Sequence, residues 1–81
     1  MKIDVAFYSY FKDLTDCESC EIELGEGACI ADLQDALEER FPKLVDMRNS
    51  TLVAVGVEYQ DREYVIQEGD RISLFPPVQG G

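Results

Sequence analysis

Two groups of residues in this chain have types and spacings that could do chemistry. One is a cysteine pair, Cys17-x-x-Cys20; the other is the final run Phe75-Pro76-Pro77-Val78-Gln79-Gly80-Gly81. In that run neither proline has an N–H to give a sheet, and both hold φ in a range suited to extended chain. Phe75 precedes a proline and is pushed towards extended geometry as well. A strand must therefore stop here and continue as a stiff stalk. Pro76 to Gly81 spans at most about 20 Å, at about 3.3 Å per residue. Gly80 and Gly81 bring no side chains to its tip. This is the form of a chain end that threads a narrow channel and offers its carboxylate for chemistry there. The plain alternative is a frayed terminus.

The cysteine spacing occurs in zinc sites and in redox motifs. Structural zinc takes four ligands, whereas this chain offers Cys17, Cys20 and Cys29 and contains no histidine. Asp16, Glu18 and Glu21 surround the pair and disfavour a thiolate. No helix start follows Cys17, as a thioredoxin-like motif requires. The pair reads as reduced thiols in a loop, with no metal site expected, and this usage fits a cytoplasmic protein.

With no histidine, and no serine in a nucleophile motif, the chain lacks the usual base for acid–base or triad catalysis. It is not expected to be an enzyme on its own. Seventeen acidic residues against seven basic ones give a net charge of −10. That argues against nucleic acid, which is bound chiefly through Lys and Arg, and suits steering towards a basic protein partner. No apolar run approaches the roughly 20 residues of a membrane helix, and Met1-Lys2-Ile3-Asp4 lacks the apolar segment of a secretory signal. No membrane association is expected.

The elements that must hold the tail follow from periodicity. Eighty-one residues make one domain with one small core. Ile3, Val5 and Phe7 alternate with polar or small neighbours, which predicts a first strand with Tyr8 on its opposite face. Ser9 to Asp13 is expected to form a helical turn that folds Leu14 onto the core. Thr15 to Cys20 reads as a loop, Glu21 to Leu24 as a second strand, and Gly25-Glu26-Gly27 as a turn. Ile30, Leu33, Leu37 and Phe41 recur at helical spacing, predicting one amphipathic helix over 30–41 that Pro42 ends. Cys29 stands at its cap position, where it is a poor acceptor.

Beyond the helix, Lys43 to Ser50 is a connection in which Leu44, Val45 and Met47 cover the core edge. Thr51 to Val57 is an interior strand, with Gly56 marking a bulge or turn. A short strand is expected around Glu63-Tyr64-Val65, and Glu68-Gly69-Asp70 turns into a last strand carrying Ile72 and Leu74. The expected core is Ile3, Val5, Phe7, Ile22, Leu24, Ile30, Leu33, Leu37, Val53, Val55, Ile72 and Leu74. A hairpin, one helix and a mixed sheet make an α+β layout.

Several stretches together carry a family resemblance: Val5-Ala6-Phe7-Tyr8, the helix Ile30-Ala31-Asp32-Leu33 through Leu37 to Arg40-Phe41-Pro42, and Val53-Ala54-Val55-Gly56-Val57-Glu58-Tyr59. Glu68-Gly69-Asp70-Arg71-Ile72 and the tail complete the set. Over essentially its whole length the sequence resembles the small subunits of molybdopterin synthase, sulfur carriers of the ubiquitin-like β-grasp fold. It departs from them at Gly56, where Asn is usual, at Cys29, where Thr or Ser is common, and at Cys17-x-x-Cys20.

The resemblance implies a mixed sheet of four to five strands with one main helix over residues 1–75, and a flexible tail over 76–81. It implies that Gly81 is adenylylated by a ubiquitin-activating-like adenylyltransferase that uses ATP. A persulfide sulfur-donor relay then converts it to a thiocarboxylate. That sulfur is delivered to a cyclic pyranopterin precursor in molybdenum cofactor biosynthesis. The large subunit of a heterotetramer would supply the basic pocket and catalytic lysines, and this chain itself would bind no cofactor. Gly80, Gln79, Val78, Pro77 and Pro76 would thread the partner's channel. Tyr8, Tyr59 and Phe75, with Pro76, would form one apolar partner surface. Two readings with the same tail stay open: a ubiquitin-like modifier joined to lysines, and a sulfur carrier for thiamine or tRNA thiolation.

Overall fold

The computed structural model describes residues 1–77, so the expectations for Val78, Gln79, Gly80 and Gly81 lie outside the described residues. The chain begins with β1 (Lys2–Phe7), a short helix α1 (Phe11–Thr15) and β2 (Ser19–Glu23). Then come the main helix α2 (Ile30–Arg40), a 3₁₀ segment (Pro42–Ser50), β3 (Leu52–Val55), β4 (Glu58–Tyr59) and β5 (Arg71–Phe75). The strands form one mixed sheet in the order β2-β1-β5-β3-β4. β1 pairs antiparallel with β2 and parallel with β5, while β3 is antiparallel to both β4 and β5. This is the α+β, ubiquitin-like β-grasp architecture, with five strands and one main helix. No helix among the described residues is long and apolar enough to cross a membrane.

Alternation builds the core. Ile3, Val5 and Phe7 of β1 point to the same side as Ile72 and Leu74 of β5, and all are buried. Ile30, Leu33 and Leu37 of α2 complete the cluster from the other side, each fully buried. The helix therefore covers one face of the sheet, as its apolar stripe requires, and among the described residues no helix lies on the other face. Gly56 and Val57 connect β3 to β4 as a two-residue turn with φ +62° at Gly56. A positive φ at the first central position is the hairpin geometry that glycine suits best.

Several expectations are corrected. The helical turn begins later than Ser9 to Asp13, at Phe11, because Ser9 takes a left-handed φ of 57°. Its core anchor is Phe11, fully buried, with Leu14 only partly so. Cys20 is not in a loop: β2 starts at Ser19, and Cys20 lies opposite Val5. The short strand falls at Glu58–Tyr59 rather than around Glu63-Tyr64-Val65, where there is a single bridge between Cys29 and Val65. That bridge still places Ile66 in the core, 2% exposed. Val45 points to solvent while Leu44 is buried, and Leu24 and Val55 pack at the core's margin instead of within it.

The connections are tied down by charge and hydrogen bonds. Arg48, in the 3₁₀ segment, reaches back to α2, donating to Asp35 at 2.6 Å, to Glu38 at 3.1 Å and to the Ala31 carbonyl at 3.2 Å. Arg40, at the end of α2, donates to the Glu21 carbonyl on the outer edge of β2 at 3.0 Å. An edge carbonyl so occupied is a poorer template for unwanted strand pairing.

Candidate functional site

The site is built where β1 and β5 end side by side. Their parallel register pairs Phe7 with Leu74, both turned into the core. Side chains alternate along a strand, so the next residue on each, Tyr8 and Phe75, belongs to the uncovered face. The Tyr8 N–H donates to the Leu74 carbonyl at 3.2 Å, holding the two ends together. The Tyr8 and Phe75 rings stack with centroids 4.6 Å apart and planes 12° from parallel. Tyr59 arrives from β4, and its ring meets Phe75 edge-on at 6.2 Å and 81°. Both arrangements suit the charge distribution of aromatic rings. Tyr8 is 45% exposed and Tyr59 63%, while Phe75 and Pro76 are half-buried.

The structure thus brings Tyr8, Tyr59 and Phe75 together at the root of the stalk. Pro76 and Pro77 follow directly on β5.

Beside the rings the same face carries a row that the sequence reading missed. Ser19, Ala6, Ser73, Ala54 and Tyr59 stand opposite one another across all five strands. Four of the five are small. Next to this row lies a trough of about 730 Å³, lined by Tyr8, Ala6, Ser73, Asp4 and Arg71 among others. The signal was available, since Ala6 and Ser73 are the small residues at the outward positions of β1 and β5. It went unused because the pairing of β1 with β5 is needed to align them. Val57, at the tip of the β3–β4 turn, lines the trough and is wholly exposed.

Cys20 lies at the margin of the trough, which Cys17 and Cys29 do not line. Cys20 follows Ile22 in pointing towards the helix side of β2, and both Cys17 and Cys20 pack against the core. Burial pushes the Cys20 thiol up, only partly offset by the Arg40 cation, and Cys17 pushes it further up. It is therefore a protonated thiol at neutral pH and a weak nucleophile. Among the described residues no three His, Cys, Asp or Glu side chains come together as a metal site. The polar groups on this side, Asp4, Glu21 and Arg71 among them, line the trough, whereas the face at the end of β5 is made by the rings of Tyr8, Tyr59 and Phe75.

Comparison with known proteins places this geometry. The molybdopterin synthase sulfur carrier subunit of Homo sapiens is 31% identical over 83 residues, spanning 99% of this chain and 94% of the relative. Among solved structures, the protein–protein complex of subunits 1 and 2 of molybdopterin-converting factor from Helicobacter pylori 26695 contains a chain that aligns at a TM-score of 0.74. That chain is 27% identical, with all of both chains covered. SAMP1 from Haloferax volcanii aligns at a TM-score of 0.86 over all of both chains; at 21% identity the likeness is one of fold. The ThiS family matches residues 5–81, from the first strand through the aromatic face to the glycine pair, and the chain belongs to that family.

Proposed function

We propose that this chain is the sulfur carrier subunit of a molybdopterin synthase. The observation that carries the reading is the aromatic face at the root of the Pro-Pro segment that precedes Gly80-Gly81 in sequence, where Tyr8 stacks on Phe75 and Tyr59 meets it edge-on. A docking surface and a threadable tail are joined there with no catalytic side chain between them. Likeness to named sulfur carrier subunits over nearly the full length supports it.

The chemistry falls to the Gly81 carboxyl group. A carboxylate is a poor electrophile, so one of its oxygens attacks the α-phosphorus of ATP on the activating enzyme, and pyrophosphate leaves. Sulfur from a persulfide donor then attacks the acyl carbon of the adenylate and displaces AMP. A second thiol then attacks the donor's sulfur in the resulting acyl disulfide, forming a donor disulfide and releasing the thiocarboxylate. In the synthase, that sulfur bonds to a carbon of the cyclic pyranopterin precursor and water hydrolyses the resulting thioester, returning the Gly81 carboxylate, while the large subunit supplies cationic groups around the reacting atoms. This chain contributes the reactive terminus and the surface that aims it, and is not an enzyme alone. Tyr8, Tyr59, Phe75 and Pro76 are the surface that both the activating enzyme and the large subunit engage. Aromatic residues at the centre of an interface often dominate its energy.

Intact mass after incubation with the activating enzyme, ATP and a persulfide donor tests this directly. The expected product is heavier by the exchange of one oxygen for one sulfur, and deletion of Gly81 removes it while circular dichroism stays unchanged. Accumulation of isopeptide adducts on lysines of other proteins, with no thiocarboxylate, would instead make the chain a protein modifier.

A further inference from the structure

Phe75 is where the fold hands over to the stalk. It is the last residue of β5, paired on one side with Leu52 of β3. On the other side the strand is held by the Tyr8 N–H on the Leu74 carbonyl. Pro76 and Pro77 have no N–H, so the ladder cannot continue past this point. The direction in which the stalk leaves is then set by how firmly Phe75 is fixed. Its ring is held by two tyrosines from different strands' ends, face-on by Tyr8 and edge-on by Tyr59. One contact resists sliding across the face of the ring and the other resists tilting, so the pair restricts Phe75 in two directions.

We propose that Tyr8 and Tyr59 are positioning residues: by clamping the Phe75 ring they fix the angle at which Pro76-Pro77 leaves the sheet, and so aim the tail at a partner's reacting centre. The inference rests on the sulfur-carrier reading for its consequence, though not for its geometry. Pro76 and Pro77 together reach about 7 Å, so a swing of about 10° at the root already moves their far end by about 1 Å. A misplacement of about 1 Å between reacting groups can cost on the order of 100-fold in rate. The aim of the stalk therefore matters as much as its attachment, and a surface that served only for adhesion would not need its rings arranged around Phe75.

The test separates aiming from adhesion. Thiocarboxylate formation is followed with Tyr8→Ala and Tyr59→Ala carriers at saturating activating enzyme, ATP and persulfide donor. A clamp predicts that kcat falls about tenfold or more at saturation, and that Tyr8→Phe recovers most of the rate lost in Tyr8→Ala, since stacking does not need the hydroxyl. A raised KM with unchanged kcat would reduce the tyrosines to contact residues and overturn the proposal. A second measurement needs no partner. In the free full-length protein, ¹⁵N relaxation should show the Phe75 amide of Tyr8→Ala losing order, from a rigid value of about 0.85 towards about 0.6. An unchanged order parameter would overturn the clamp whatever the tail does. A wild-type protein that takes up no sulfur would sink the functional reading while leaving this measurement decisive for the clamp.

Discussion

Cys29 shows how a single position can look wrong and still work. Its side chain is a poor helix cap, and the sequence suggests a weak start to α2. The structure supplies the cap from inside the helix: the Asp32 carboxylate accepts the Cys29 N–H at 3.0 Å, and the Cys29 thiol donates to the same oxygen at 3.4 Å. The backbone bond first, and the thiol second, hold the Asp32 carboxyl below the usual carboxylate range. A depressed folded-state pKa stabilises fully above the unfolded value of about 3.9, and the effect is lost as pH falls through the lower folded value. Asp32→Asn should therefore be less stable than wild type at neutral pH, with the gap closing in acid; urea midpoints from pH 7 down to pH 2 would measure it. A gap that stays constant with pH would refute the assignment. Gln34 is a different case. It is 5% exposed, on the side of α2 facing the 3₁₀ segment, and its amide oxygen is buried without a hydrogen-bond partner. An orphaned buried acceptor costs about 1–3 kcal/mol. Gln34→Met, of similar length and without that oxygen, should raise stability by about 1 kcal/mol, read as a higher urea midpoint.

At the scale of elements, α2 is the part the sequence states most plainly and the part that stability depends on most. Leu37 is fully buried within the cluster that joins the helix to the sheet. Leu37→Ala should cost about 2–5 kcal/mol, a large share of a small domain's total, and chemical denaturation would show it. Periodicity made the helix legible because its buried face is apolar except for Gln34 and its opposite face is charged. The same signal identified β1 and β5 and placed Tyr8 and Phe75 outward. It failed where burial does not follow a repeat. Phe11 enters the core from a five-residue helix too short to show a period, and Ile66 does so from a stretch held by one bridge. Cys20 belongs to β2 because it pairs with Val5, a long-range fact that no local composition carries. β4 is two residues long, and only the turn at Gly56 and Val57 fixes its register. The aromatic face was half legible: alternation gave the side of the sheet, while the neighbour relation needed the parallel pairing of the first and last strands.

Among the described residues the sheet has one face covered by the helix and one without a covering element. The helix occupies one side of the sheet, and the other carries the aromatic cluster, the small-residue row and the trough next to the stalk. Its net charge of −10 favours association with basic partners and makes their encounter rates fall with salt. Charge is spread widely enough to serve many orientations, whereas the stalk has one root. On the proposed function, enzymes acting on Gly81 would meet Tyr8, Tyr59 and Phe75 at that root, and two such partners would compete for it. Loading of sulfur by the activating enzyme and its delivery in the large subunit should therefore be mutually exclusive, with the carrier dissociating between them. Titrating activating enzyme into a preformed complex of labelled carrier and large subunit should displace the large subunit, following simple competition. Phe75→Ala should weaken both complexes and leave the circular dichroism spectrum unchanged, because the ring is not part of the buried core. A stable ternary complex, or a Phe75→Ala carrier that loses one partner and keeps the other at full affinity, would mean that the two enzymes read different surfaces.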